Sequence, residues 1–237
     1  MNSVNADNDE YIASVTNLLS DFDRNESGDK IPEIEMDSLR LASIIHTRKK
    51  ISDSLTLDKN LIQILQALDD SHTVLNLVSE RLCTWYAHTK GQPRKAIDEI
   101  LAKNSLSHSM VSLKNVYFSV KDLIIQLSNQ IDKEAPKTFP NMVKILDSQL
   151  TVRLVSCAGS LAKLARLPSS TIQLLGAEKA LFRHVNEGTL PPKYGILYQH
   201  PSIKRALKKN KGKVARKLAS KVAIASKIDY YRVEDAK

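Results

Sequence analysis

The sequence is poor in cysteine, glycine and aromatic residues: two cysteines, seven glycines and 5% aromatics in 237 residues. Cys83 and Cys157 are far apart, which excludes a CxxC metal or redox motif and a disulfide framework. No apolar run approaches the ~18–20 residues needed to cross a bilayer, and the polar, acidic N-terminus argues against a secretory signal peptide. We therefore expect a soluble protein of a reducing intracellular compartment, with no membrane contact.

The usual signatures of enzymes are also missing. No two glycines lie two positions apart, so there is no GxG dinucleotide-binding loop, and Gly212-Lys213 lacks the upstream glycine of a phosphate-binding loop. The six histidines form no HExxH or HxH motif, and no serine lies in a GxSxG turn. We assign no catalytic residue, metal ligand or cofactor, and expect a protein that is not an enzyme.

The net charge of +9 is distributed very unevenly along the chain. Residues 1–140 contain 16 Lys and Arg against 20 Asp and Glu, whereas residues 141–237 contain 19 against six. Residues 201–221 contain nine basic residues and no acid. Such a block attracts polyanions, because each phosphate that it neutralises releases condensed counterions. A nucleic acid is the expected partner, and a solvated basic surface is the alternative.

The composition divides the chain into three parts. Residues 1–38 hold ten acids and two bases, and we expect an acidic lead-in that is partly disordered or forms a short helix around Tyr11–Leu19. Residues 39–137 are predicted to form a helical coiled-coil arm, closed by Pro136 and Pro140. Residues 138–237 are predicted to form a compact helical domain.

Two apolar stripes carry the prediction of the arm. One runs from Leu61 to Trp85 in steps of three and four, and the other is a heptad seam from Leu113 to Ile131. Neither helix could bury its stripe alone, so we expect the two helices to pair antiparallel. A homodimer through the same arm is a further possibility.

The C-terminal part is predicted to form helices around one exposed loop. Since the arm is also predicted to be helical, the expected fold class is all-α. Ser169-Ser170-Thr171 predict the start of a helix that continues to about Glu187 and ends at Gly188. Residues 190–195 contain Pro-Pro and predict a rigid exposed loop. Lys213–Ile228 alternates bases with apolar residues, which predicts a helix with one basic and one apolar face.

Several motifs in residues 138–230 follow one another in a characteristic order. They are Thr138-Phe139-Pro140-Asn141, Leu167-Pro168-Ser169-Ser170-Thr171-Ile172-Gln173, Leu175-Gly176-Ala177-Glu178-Lys179-Ala180-Leu181-Phe182-Arg183-His184, Pro191-Pro192-Lys193-Tyr194-Gly195 and Gly212-Lys213-Val214-Ala215-Arg216. Their order and spacing resemble the Nop domain of box C/D ribonucleoprotein core proteins, especially the archaeal members. The spliceosomal Nop-domain protein is similar at a greater distance, and Leu75–Tyr86 resembles the family's coiled-coil region.

The resemblance implies a mechanism. Nop domains bind the stem of a kink-turn RNA that is already held by a small ribosomal-type protein, and they bind either component alone only weakly. It implies a non-enzymatic scaffold for RNP assembly that reads RNA by shape, in the cytoplasm of an archaeon or in the nucleus or nucleolus of a eukaryote. The alternative is a reduced RNA-binding module in the maturation of ribosomal or other RNA.

The site residues are predicted on the last helix, on the motif helix and beside the Pro-Pro loop. The predicted RNA contacts are Lys213, Arg216, Lys221, Lys193, Arg183, Lys179, Gln199 and Arg166. The predicted contacts with the kink-turn-binding protein are Gln173, Glu178, His184 and Tyr194. The alternatives are a solvated face for the cations, packing for Gln173 and internal capping for Glu178. Five apolar residues are expected in the core: Leu175, Leu181, Phe182, Leu218 and Val222.

The chain departs from the family pattern at two places. Full-length members carry an N-terminal domain that docks the methyltransferase fibrillarin, whereas here a short acidic segment precedes the arm. The resemblance therefore leaves recruitment of fibrillarin in doubt. The aromatic pair before the Gly-Lys of the last helix is replaced by Lys208-Lys209-Asn210-Lys211.

Overall fold

The computed structural model describes residues 36–102 and 106–234, and every regular element in those ranges is helical. The α-helices are α1 (Met36–Ser54), α2 (Leu57–Lys90), α3 (Ile97–Leu101), α4 (His108–Thr138), α5 (Pro140–Val143), α6 (Ser148–Ala158), α7 (Leu161–Arg166), α8 (Ser169–Leu174), α9 (Glu178–Glu187), α10 (Pro201–Arg205) and α11 (Lys211–Glu234), with a 3₁₀ turn at Ile196–Gln199. This confirms the predicted all-α class. None of the described helices combines the length and the apolar character needed to cross a membrane.

The chain divides into two compact units. α1 belongs to a unit that ends at Thr56, and the other ten described helices belong to a second unit that begins at Leu57. The short helix expected around Tyr11–Leu19 lies outside the described residues, as does nearly all of the acidic lead-in. The domain limits at residues 38 and 137 stay predictions.

The arm is an antiparallel pair of long helices, α2 with 34 residues and α4 with 31. Near one end, Leu65 of α2 and Ile131 of α4 belong to the main hydrophobic cluster. At the other end, Leu82 of α2 and Met110 of α4 belong to a second, smaller cluster. Because the start of each helix meets the end of the other, the pairing is antiparallel, as the two stripes predict.

The main hydrophobic cluster continues from the arm into the C-terminal helices. Its fully buried side chains include Leu154 of α6, Leu164 of α7, Ile172 of α8 and Val222 of α11. Burial of each such side chain contributes about 1.5–3 kcal/mol. α11 lies across α7 and α8 through small residues, Ala215 among them, that allow close approach. One continuous core therefore joins the C-terminal helices to the end of the arm that contains Leu65 and Ile131.

Short polar side chains define where several helices begin. Ser107 starts α4 by accepting from the Met110 N–H, and Asp147 starts α6 by accepting from the Leu150 N–H at 2.8 Å. Ser160 does the same for α7. Each such cap satisfies a backbone donor that the helix itself leaves without a partner. Each of these caps is made within four residues of the chain.

Pro136 does not close the arm, contrary to the prediction. α4 continues through Pro136 to Thr138, and the Phe139 N–H still donates to the Ala135 carbonyl at 2.8 Å. Ala135 and Phe139 are completely buried. Their packing outweighs the single backbone hydrogen bond that a proline removes this close to a helix C-terminus.

The helix predicted from residues 169–171 to Glu187 is in fact two helices. α8 ends at Leu174 and α9 begins at Glu178, with Gly176 between them at φ +81°. The hydroxyl residues do not cap α8, because its N-cap is Pro168. The predicted end at Gly188 is confirmed, since Gly188 adopts the left-handed conformation after the last turn of α9.

Two apolar residues predicted to be buried are exposed. Leu181 and Phe182 on α9 are 39% and 68% exposed, because α9 buries none of its residues. Ile228, at the end of the predicted amphipathic helix, is 51% exposed. That helix is also longer than predicted, from Lys211 to Glu234. Leu218 and Val222 are buried as expected, and Leu175 is half-buried against the core.

Candidate nucleic-acid interface

The outer face of α11 is basic along its first half. Ala215, Leu218 and Val222 point into the core, whereas Lys213, Arg216, Lys217 and Lys221 are exposed on the opposite side. With a rise of 1.5 Å per residue, Lys213 and Lys221 begin about 12 Å apart along the helix axis. The predicted amphipathic helix is therefore present, and Lys217 extends the set of cations that the sequence analysis selected.

The Pro-Pro loop is attached to α8 by three hydrogen bonds. Gln173 Nε2 donates to the Lys193 carbonyl at 2.6 Å, and the Gly195 N–H donates to the Gln173 carbonyl at 2.8 Å. The Ile196 N–H donates to the Leu175 carbonyl at 2.7 Å. Hydrogen bonds to residues 173–175 thus constrain the loop in addition to its two prolines. The side-chain amide of Gln173 is used in this contact within the chain. The contact of Gln173 with a partner protein stays a prediction.

Two glycines permit this close approach. A Cβ atom on Gly195 would lie 1.9 Å from the Leu175 carbonyl oxygen, far inside any contact distance. Gly176, in the left-handed conformation, would place a Cβ 3.1 Å from Ile196 Cβ. The loop can therefore lie against the end of α8 only with glycine at residue 195, and residue 176 strongly favours glycine as well.

Two tyrosines and a lysine join the loop to the start of α11. The rings of Tyr194 and Tyr198 stack with centroids 4.9 Å apart. Lys211 Nζ lies 4.8 Å from the centroid of the Tyr198 ring and 3.2 Å from its hydroxyl oxygen, a cation–π contact combined with a hydrogen bond. Lys193 is adjacent, since a Cβ on Gly212 would lie 3.7 Å from Lys193 Cβ.

Lys193 consequently lies beside the start of α11, which carries Lys211 and Lys213, and we call this place the basic corner. Tyr194 lies there too, half-buried in the tyrosine stack, and Gln199 is exposed at the end of the 3₁₀ turn. Lys211 is not among the predicted RNA contacts. No short-range pattern could have found it, because its contact with Tyr198 spans 13 residues of an irregular segment.

α9 presents a mixed surface of its own. Lys179 and Arg183 are exposed on it, as are Leu181, Phe182 and Val185. Glu178 Oε1 accepts from the Gly176 N–H at 2.6 Å, and His184 Nδ1 pairs with the Thr189 carbonyl. Both polar side chains therefore stabilise the ends of α9, and their contact with a partner protein stays a prediction.

The predicted RNA contacts are spread over several elements. Lys179 and Arg183 are exposed on α9, outside the basic corner. Arg166 is exposed at the last residue of α7. These three cations remain separate candidates, whereas Lys213, Arg216 and Lys221 share one helix face with Lys217.

The charges around this surface are of one sign. Residues 188–228 contain eleven Lys and Arg and no Asp or Glu. Of the two flanking acids, Glu187 is exposed at the end of α9, and Asp229 is completely buried and accepts hydrogen bonds from the Asn141 N–H, from Asn141 Nδ2 and from the Met142 N–H. A surface with this charge and no neutralising carboxylate is suited to a polyanion.

Two pKa shifts occur on α6. Burial raises the pKa of the Cys157 thiol, and the nearby Glu178 carboxylate raises it further. The Asp69 carboxylate raises the pKa of the Arg153 guanidinium by a two-pronged hydrogen bond, with distances of 2.6 and 2.7 Å. The described residues contain no cluster of side chains that could hold a metal ion.

An all-helical domain with a helix that is basic on its outer face, next to a hydrogen-bonded proline loop, is suited to binding a polyanion. The chain matches the family model Nop, described as "snoRNA binding domain, fibrillarin", over residues 87–237. Since this match covers more than half of the chain, the protein belongs to the Nop family, as the motifs predict.

Individual relatives agree with this assignment. The chain is 36% identical to a NOP5 family protein of Methanocaldococcus jannaschii, over 73% of this chain and 52% of that protein. It is 32% identical to nucleolar protein 58 of Scheffersomyces stipitis, over 81% of this chain and 46% of that protein. The chain thus aligns with about half the length of these relatives.

A solved structure has the same fold. A chain in the crystal structure of a fibrillarin/Nop5p complex superimposes with a TM-score of 0.56 at 26% sequence identity. The match covers 89% of this chain and 82% of that chain. The likeness therefore includes the arm as well as the C-terminal helices.

Proposed function

We propose that this protein is a non-enzymatic scaffold of a box C/D-type RNP, and that it binds a kink-turn RNA together with its ribosomal-type kink-turn-binding protein. The observation that carries the proposal is the coexistence of two unlike exposed surfaces in one small domain. One is the acid-free basic surface of α11 and the basic corner, and the other is the apolar side of α9.

The basic surface suits the RNA. Lys213, Arg216 and Lys221 lie along about 12 Å of one rigid helix, so they can follow a phosphate backbone. Lys193 projects from a loop whose backbone is fixed by α8. RNA helices are read mainly through shape, phosphates and 2′-hydroxyls. We therefore expect recognition of RNA shape with little dependence on base sequence.

The apolar side of α9 suits a protein. Phe182 and Val185 are 68% and 73% exposed, and Leu190 in the following loop is 93% exposed. Clusters of exposed large apolar residues mark protein–protein contacts. Two separate contacts each bind weakly, whereas a preassembled RNA–protein complex that offers both contacts binds tightly. This is the behaviour expected of an assembly checkpoint.

We also propose that a second copy of the chain packs on the arm. The heptad seam that suggested a homodimer faces α2 within the same chain. A second apolar stripe remains exposed on α4, with Val111, Phe118 and Ile125 at intervals of seven residues. Light scattering should show a dimer that Phe118→Glu converts to a monomer. A monomeric unchanged chain at micromolar concentration would contradict this.

The alternative function is an RNA-binding module that acts in RNA maturation without a methyltransferase. The structural neighbour was crystallised as a fibrillarin/Nop5p complex, and a pull-down with fibrillarin separates the two functions. The fungal relatives are named nucleolar proteins. A eukaryotic protein of this kind would accordingly lie in the nucleolus, and an archaeal one in the cytoplasm.

The test is a binding titration on a kink-turn RNA, with and without the kink-turn-binding protein, at two salt concentrations. Lys213→Ala with Arg216→Ala should weaken RNA binding and lower the salt dependence by roughly 1–2 units of slope. Phe182→Ser should weaken only the complex that contains the partner protein. Lys144→Ala is the matched control, since Lys144 is exposed elsewhere in the domain. Equal binding to any duplex, with or without the partner, would refute the checkpoint.

A further inference from the structure

A group of four cations lies on the connection between α10 and α11, outside the basic corner. We call it the basic turn, and it consists of Lys204, Arg205, Lys208 and Lys209, all exposed. The Asn210 and Lys211 N–H groups donate to the Leu207 carbonyl at 2.7 and 3.1 Å. These two bonds close the connection into a tight turn, so its side chains project from an ordered backbone.

α10, the helix that precedes the basic turn, is anchored in the core. Ile203 of α10 is completely buried. His200, at the start of α10, pairs through Nε2 with the Ile145 carbonyl at 3.1 Å and through Nδ1 with the Ser202 hydroxyl at 2.7 Å. The cations therefore have a definite position relative to α11 and lose little backbone entropy when a ligand binds.

No carboxylate neutralises the basic turn. None of its four side chains takes part in an ion pair within the described ranges 36–102 and 106–234. The next acid along the chain, Asp229, is buried and satisfied by its own hydrogen bonds. Four like charges on so short a segment repel one another, and a polyanion relieves that repulsion when it binds.

The basic turn is adjacent to the basic corner in the chain, since Lys209 and Lys211 are two residues apart. Lys211, which belongs to the basic corner, directs its ammonium group to Tyr198. From the start of α11 to Lys221 the helix rises about 15 Å. The turn adds its four cations before that start. The basic part of the chain therefore extends past the segment that contains the predicted RNA contacts.

We propose that the basic turn binds phosphates of an RNA duplex that continues past the segment held at the basic corner. This contact adds affinity that depends neither on base sequence nor on the partner protein. The inference rests on the proposed function and deepens it, because it assigns a second RNA segment to the same domain. Duplex RNA is favoured over an acidic protein, because exposed apolar residues for a protein contact are few here, Leu207 being the exception.

The experiment uses the full chain and two synthetic RNAs with the same kink-turn. One RNA has a short stem, and in the other the stem is longer by about one helical turn. Fluorescence anisotropy at several salt concentrations gives the slope of log K against log salt. Lys208→Ala with Lys209→Ala is compared with Lys144→Ala with Lys163→Ala, which removes two equally exposed cations elsewhere.

We expect the basic-turn variant to lower the slope on the long stem by roughly 1–2, with no change on the short stem. The control variant should change neither slope. An equal loss on both RNAs, or no loss on either, would overturn the inference. The inference would also be overturned if the basic-turn variant bound polyglutamate, an acidic peptide, more weakly while it bound both RNAs as tightly as the unchanged chain does.

The same titration separates this inference from the proposed function. Lys213→Ala with Arg216→Ala should weaken binding to both RNAs if the basic corner and α11 hold the kink-turn stem. If that variant binds both RNAs as tightly as the unchanged chain does, the proposed function fails. If only the basic-turn result fails, the proposed function stands and this inference does not.

Discussion

Asp229 should be among the most costly side chains to remove from this domain. Its carboxylate is completely buried and accepts from the Asn141 N–H at 3.1 Å, from Asn141 Nδ2 at 2.7 Å and from the Met142 N–H at 3.0 Å. It thereby fastens α11 to the first turn of α5, directly after the arm. Asp229→Ala leaves backbone donors there without a partner, each costing about 1–3 kcal/mol. We expect a loss of about 3–5 kcal/mol, a large fraction of a typical stability.

Urea unfolding followed by circular dichroism measures this loss. Asn141→Ala is the matched variant, because it removes only the bond from Nδ2 and leaves both backbone N–H groups paired with Asp229. It should cost about 1 kcal/mol. The reasoning is refuted if Asp229→Ala stays within about 1 kcal/mol of the unchanged chain, or if the two variants cost the same.

The remaining predictions use the same unfolding assay or a thiol reaction. Gly195→Ala should lower the free energy of unfolding by about 3 kcal/mol, because its Cβ would clash with the Leu175 carbonyl. Gly188→Ala should lower it by only about 1 kcal/mol, because its Cβ would meet open space. Equal losses would contradict this. A double-mutant cycle on Asp69 and Arg153 should give a coupling of about 1 kcal/mol that weakens in salt, because both side chains are partly exposed; a coupling near zero would contradict it. Burial raises the pKa of Cys157, so its alkylation should rise at higher pH in the folded chain than in urea; coincident profiles would disprove the shift.

The features that sequence reasoning found correctly are those with a short-range cause. The stripe from Leu113 to Ile131 repeats every three or four residues, so it predicts both the helix and the face that α4 turns towards α2. Gly188 ends α9 because a left-handed residue after a helix is a local requirement. The basic face of α11 is likewise visible in the spacing of its residues.

The features that it missed depend on contacts between distant parts of the chain. The break at Gly176 exists because the Leu175 carbonyl accepts from the Ile196 N–H, 21 positions further on. Pro136 stays inside α4 because Ala135 and Phe139 are buried in a core to which α6, α8 and α11 also contribute. Neither contact leaves a periodic signal. Gly176 is the local sign of the first break, since it adopts the left-handed conformation after α8 as Gly188 does after α9.

The errors on α9 have a different cause, and they point towards function. The sequence pattern places Leu181 and Phe182 on one side of an amphipathic helix, and such a pattern says only that something apolar covers that side. It does not say whether the cover is the same chain or another molecule. α9 buries none of its residues, so residues 36–102 and 106–234 do not supply the cover. The same helix carries Lys179 and Arg183, whose charges suit RNA. The two residues misjudged as core are therefore the strongest structural argument that this surface is completed by a partner, and Phe182→Ser tests that argument without disturbing the fold.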